Sequence, residues 1–192
     1  MRKIVLFVFL VSIQCTQVEK PMSLLEEYYS IKEINELRRL TTFVEEQVTN
    51  GCEASTQECI SQYFDDFKTV EASALLELNI DKDRQRKLMG DVDQDLFNDI
   101  WSSCTDRQGV KYLCVNSRGK FARMLRKISE ANSELKPYGE AFFGANYFSP
   151  SMTGTLLKYS ESFDFEYEPE FILAAIHLLT INLTEEPYYE TL

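Results

Sequence analysis

Phe171-Ile172-Leu173-Ala174-Ala175-Ile176-His177-Leu178-Leu179-Thr180-Ile181-Asn182-Leu183 is the stretch that decides the fold. Pro169 stands just ahead of it, a good first-turn residue, and Glu168 and Glu170 place negative charge at its start. Beyond it, Thr184-Glu185-Glu186-Pro187 ends in a proline that forbids continuation. As a helix the stretch rises about 20 Å, short of the roughly 30 Å hydrocarbon core of a bilayer. A helix apolar nearly all round that does not span a membrane belongs in a protein interior. The reading is therefore a buried central helix, and the other segments must supply helices to cover it.

They do so in order. Ser23-Leu24-Leu25-Glu26 has the capping-box form, a hydroxyl and a carboxylate three apart satisfying free amides. Leu24, Tyr28, Ile31, Ile34, Leu37, Leu40, Val44 and Val48 then follow at steps of three and four, which predicts one long helix closed by Asn50-Gly51. Ser55-Thr56-Gln57-Glu58 opens a second, carried by Ile60, Tyr63, Phe64, Phe67, Val70 and Ala74. Asp81 begins a short charged helix closed by Gly90. Asp91 caps a fourth, with Val92, Leu96, Phe97, Ile100, Trp101 and Cys104 on one face. Lys111 to Val115 reads as a short strand or as extended chain. Ser117 starts another helix, with Phe121, Met124, Leu125, Ile128 and Leu135 inward and Arg118, Lys120, Arg123, Arg126 and Lys127 outward. Ser149-Pro150 supplies a further cap and first turn. Alternating strand–helix signals are missing, so the fold class is all-α: one domain over 23–192 with about six to eight helices and at most one short extended segment.

The N-terminus carries a different message. Met1-Arg2-Lys3 precedes the apolar run Ile4 to Ile13, the layout of an export signal and too short for a membrane anchor. Val11-Ser12-Ile13-Gln14-Cys15 resembles the signal of a bacterial lipoprotein. That resemblance implies removal of residues 1–14, a lipid on Cys15 and anchoring in the cell envelope, with 15–22 as tether; it says nothing of activity. The alternative is ordinary cleavage after Cys15 and a soluble secreted protein. In both cases Cys52, Cys59, Cys104 and Cys114 remain, an even number that in an exported chain points to two disulfides. The short spacings favour Cys52–Cys59 and Cys104–Cys114, each stapling a helix end to a neighbouring loop. Neither pair is C-x-x-C and His177 is the only histidine, so no metal site is expected.

Charge narrows the partners. The formal charge of −11 becomes −13 once Arg2 and Lys3 leave with the signal (−11 − 2). Such a balance argues against nucleic acid and against electrostatic binding to anionic lipid. It fits simple solubility, the commoner reason for such a charge, or a basic protein partner, and membrane association then comes only through a lipid anchor on Cys15.

No catalytic constellation or cofactor motif stands out. His177 lies inside the apolar helix, where a hydrogen-bonded core histidine is the ordinary outcome, and no G-x-S-x-G is present. Asp91-Val92-Asp93-Gln94-Asp95 begins like a calcium loop. Leu96 and Ser102, however, fall where its glycine and bidentate glutamate belong. The acids of the chain are too many for a pair of them to identify a glycoside hydrolase, and no phosphate-cradling glycine loop occurs. Asn182-Leu183-Thr184 fits the glycosylation pattern by chance, at the end of a buried helix.

Two segments remain as candidate sites. Phe163-Asp164-Phe165-Glu166-Tyr167-Glu168 alternates rings and acids at a period of two, so an extended chain would have one aromatic and one anionic face. It reads either as a recognition edge for a basic partner or as a loop whose rings plug the core. Tyr138, Phe142, Phe143, Tyr147 and Phe148 lie in an aromatic–glycine segment that would suit an apolar ligand or simply fill the core. The functional expectation is an exported acidic binding protein, for example an inhibitor or protective partner of a basic protein. A carrier of an apolar small molecule is the second reading and a carboxylate-based hydrolase the third.

Overall fold

The computed structural model describes residues 23–69, 78–105, 109, 111–145 and 150–183. Among them run α1 (Leu24–Tyr28), α2 (Ile31–Val48), α3 (Thr56–Thr69), α4 (Lys82–Gly90) and α5 (Gln94–Ile100). A hairpin follows, β1 (Trp101–Thr105) and β2 (Lys111–Val115). Then come α6 (Lys120–Ala131), α7 (Lys136–Ala145), α8 (Pro150–Tyr159), a 3-10 turn at Ser160–Ser162, and α9 (Glu168–Asn182). The chain is mostly helical, as its periodicity predicts, with a small antiparallel sheet added.

The apolar C-terminal stretch is α9, buried over almost its whole circumference, with Pro169 in its first turn. It packs along α2 and also meets α6, α8 and β2. Thr180 and Asn182 are buried with hydrogen-bond partners, since an unpaired polar group there would cost about 1–3 kcal/mol. The Thr180 hydroxyl donates to Ile176 O (2.6 Å) and accepts from Trp101 Nε1 (2.9 Å). Gln85 Nε2 donates to Leu179 O (2.6 Å), while Asn182 Nδ2 donates to Gln85 Oε1 (2.8 Å) and Ile80 O (3.1 Å). The Asn182 nitrogen that a glycan would need is thus committed inside the core.

Four local readings need correction. The long helix predicted from Leu24 to Val48 breaks at Tyr29-Ser30. Ser30 and Glu33 form a second capping box, with Glu33 Oε2 accepting from Ser30 N at 2.7 Å. The break turns Tyr29 inward to 4% exposure and leaves Ile31, counted on the inner stripe, 75% exposed. Asp93, not Asp91, caps α5, accepting from Asp95 N at 3.1 Å. Trp101 and Cys104 do not continue that helix: Ile100 ends it, and the next five residues pair with Lys111–Val115 in the register Trp101↔Val115 to Thr105↔Lys111. The helix expected from Ser117 begins at Lys120, and Leu135 lies buried beyond its end.

Both disulfides form in the pairing expected. Cys52–Cys59 ties the turn after α2 to the first turn of α3. Cys104–Cys114 links the two strands diagonally, Cys104 facing Tyr112 and Cys114 facing Ser102, rather than a helix end to a loop. Two such bridges belong to an oxidising, extracellular environment. No described helix is long and apolar enough to cross a membrane.

Candidate functional site

The acid–aromatic segment leads from the 3-10 turn into α9, and two of its three rings, Phe163 and Phe165, go inside. Phe163 and Phe165 stack nearly parallel with centroids 5.8 Å apart, as two residues on one side of extended chain can. Phe163 meets the edge of Tyr138 at 5.2 Å. Phe165 lies between Phe64 (5.9 Å) and Phe171 (6.1 Å). The backbone is tied down at each step. Asp164 N donates to Glu170 Oε2 (2.8 Å) and Phe165 N to Gln57 Oε1 (2.9 Å). Asp164 Oδ1 accepts from Glu166 N (3.0 Å) and Tyr167 N (3.2 Å), closing a tight turn into α9. Glu170, the only carboxylate buried among the described residues, also accepts from Asn132 Nδ2 at 3.3 Å.

What this segment shows to solvent is therefore mainly acid. Asp164 and Glu166 are exposed and Tyr167 is 42% exposed, whereas Glu168 makes a bidentate pair with Arg38 at 2.5 and 3.0 Å. That pair is solvent-exposed on both sides, so its contribution is under about 1 kcal/mol. Gln57 and Phe64 bring α3 alongside, and α3 with the turn before it adds exposed Glu53, Glu58, Asp65 and Asp66. Glu161 adds another from the 3-10 turn. No lysine or arginine stands between Arg39 and Lys68, and none follows Lys158. The fold places those two cation-free runs against each other, and their sum is an acidic face.

Glu53, Asp65, Asp66 and Glu161 are absent from the sequence-derived candidates. The spacing of lysine and arginine was the signal that could have found them; the alternation at 163–168 drew attention because it is local.

The aromatic–glycine segment is divided. Tyr138 and Phe142 are fully buried core side chains. Phe143 is half-buried, edge-on to Phe142 at 5.0 Å and covered by the Arg126 guanidinium 3.9 Å above its ring. Tyr147 and Phe148 lie outside the described residues, as does Cys15. His177 is buried, its Nδ1 sharing a 2.8 Å hydrogen bond with the Tyr138 hydroxyl. Burial pushes the imidazole down to about 3 and the phenol well above its ordinary value, so both are neutral at physiological pH. The bond ties α7 to α9.

The Asp91–Asp95 segment is likewise accounted for by the chain. Asp93 Oδ2 accepts from Lys32 Nζ at 2.6 Å, and that bond with the Asp95 amide holds its carboxyl below the usual range. Among the described residues no three His, Cys, Asp or Glu side chains are grouped to hold a metal ion. No protein-family model, no curated protein and no solved structure matches the chain.

Proposed function

We propose that this chain is an exported binding protein whose acidic face engages a basic protein. It acts outside the cytoplasm as an inhibitor or protective partner, and a lipid on Cys15 holds it in a bacterial envelope. The observation that carries the reading is the meeting of the two cation-free runs. Glu53, Glu58, Asp65 and Asp66 stand with Glu161, Asp164 and Glu166 on a surface stapled by Cys52–Cys59. A predominantly acidic surface steers an oppositely charged partner and suppresses wrong ones. Tyr138 and Phe142 are committed to the core, which weakens the carrier reading. Glu170 has both oxygens occupied by structural donors, which weakens the hydrolase reading.

The test is capture of proteins from the envelope and medium of the producing cell on the immobilised full chain. Asp65→Asn/Asp66→Asn/Glu161→Gln/Glu166→Gln keeps side-chain shape and the capping carboxylates of Glu58 and Asp164. The expected result is a basic protein retained by the native chain and lost, by about tenfold or more, from the variant and in 0.5 M salt. A captured protein of neutral or acidic charge, or retention indifferent to the substitutions, contradicts the reading.

A further inference from the structure

The acidity of the chain as a whole conceals one face of opposite sign. α6 is strongly amphipathic: Phe121, Ala122, Met124, Leu125 and Ile128 are buried, and Arg123, Arg126 and Lys127 are exposed, with Arg118 just ahead of the helix. None of these four cations pairs with a carboxylate among the described residues. Arg123 Nη1 donates to Arg118 O (3.2 Å) and Arg126 lies over the Phe143 ring. The acid on that face, Glu130, falls in the last turn, next to the Asn132 cap that touches the Ser162 carbonyl. Positive charge is thus concentrated toward the first two turns.

That is also where the chain enters the fold. α1 packs on α6; Arg123 acts on the phenols of both Tyr28 and Tyr29, and the exposed Glu27 of α1 and Glu130 act on Tyr28 with opposite sign. Ser23, which caps α1, follows directly on the 15–22 segment, whose eight residues reach at most about 28 Å when extended. A chain held by Cys15 therefore keeps α1 and α6 within reach of the bilayer surface, whereas a free chain of net charge −13 would be repelled by it.

We propose that the Arg118–Arg123–Arg126–Lys127 face docks on anionic lipid headgroups and sets the orientation of the molecule on its membrane. The proposal goes beyond the binding of a basic partner and rests on anchoring at the N-terminus. Charge complementarity selects the occupant. Guanidinium and ammonium groups match phosphodiester headgroups, and local attraction operates over a Debye length of about 8 Å, which long-range repulsion does not reach once a tether has brought the face down.

The test replaces the anchor, so that its result does not depend on acylation of Cys15. The chain from Thr16 onward, which retains every described residue, carries an N-terminal hexahistidine segment. It is bound to nickel-chelating lipid in vesicles of phosphatidylcholine alone or with phosphatidylglycerol. Acetylation of Lys127 is followed by mass spectrometry, with exposed Lys87 on α4 as internal control. The expected result is Lys127 slowed about fivefold or more by phosphatidylglycerol, Lys87 unchanged, and the protection abolished by 0.5 M salt. Arg118→Gln/Arg123→Gln, both exposed, should lose most of the protection while leaving the folded circular dichroism spectrum intact. Equal Lys127 reactivity in the two vesicle types, or protection indifferent to the double substitution, overturns the proposal. Acylation itself is read separately from the mass of the native product.

Discussion

Lowering the pH from 6.5 to 5 is expected to destabilise the fold by about 2 kcal/mol, through His177 alone. The imidazole titrates at about 3 in the folded state because it is buried, and near 6.5 when unfolded. Between those values the unfolded chain holds a proton that the folded chain does not. Stability is therefore complete above pH 6.5 and falls by about 1.4 kcal/mol for each unit below it. The window above pH 5 isolates the histidine. Glu33, where Lys120 and Ser30 outweigh the cost of partial burial, and Glu58, bonded to Ser55, have lowered values and add to the loss only at lower pH. Urea midpoints of the native chain and of His177→Leu/Tyr138→Phe check this. The double variant removes both members of the 2.8 Å bond and leaves no orphaned hydroxyl. It should be nearly flat over the same range, and parallel slopes would refute the assignment.

Gly119→Ala is expected to cost about 3 kcal/mol or more, although φ at this position is −70°, open to any residue. The obstacle is space. A Cβ here would lie 1.9 Å from the carbonyl oxygen of Asp99, and backbone cannot rotate aside as a flexible side chain would. The close approach has a purpose: Asp99 Oδ1 accepts from Lys120 N at 2.7 Å, capping α6 from α5 where Gly119 has no side chain to do so. Gly144→Ala is the contrasting case, in α7 with nothing within 4 Å of the added methyl. It should be neutral or stabilising by up to about 1 kcal/mol, because alanine loses less freedom in a helix. Equilibrium urea unfolding of the two variants separates the outcomes, and a Gly119→Ala chain as stable as the native one would contradict the packing described.

Helical periodicity made most elements legible, and buried position followed from it wherever the stripe was long. α9 was readable because thirteen residues apolar on every side leave a helix nowhere to go but inside. The break at Tyr29-Ser30 escaped because Leu24, Tyr28 and Ile31 keep step across it; only Ser30 with Glu33 marked a second start. β1 escaped because Trp101 and Cys104 also fit the helical stripe of α5. Its strand identity comes from pairing with Lys111–Val115, a partner about ten residues away. The acidic face was legible only in halves. Its two runs lie about a hundred residues apart in the chain and meet through Gln57, Phe64 and Phe165, a contact no local pattern contains. The partner of Tyr138, likewise, is visible in composition only as a hydrophobic helix with one histidine.

Intact mass of the full chain produced in a bacterial host, before and after reduction, tests the account most directly. The prediction is a mass beginning at Cys15 with acyl chains added and a gain of four hydrogens on reduction, two for each of the two disulfides. A lipid-free mass beginning after Cys15 with the same gain would move the protein to the soluble secreted form and leave its fold and faces as described. A mass that retains residues 1–14 and gains no hydrogen would contradict export, the disulfides and the extracellular partner together.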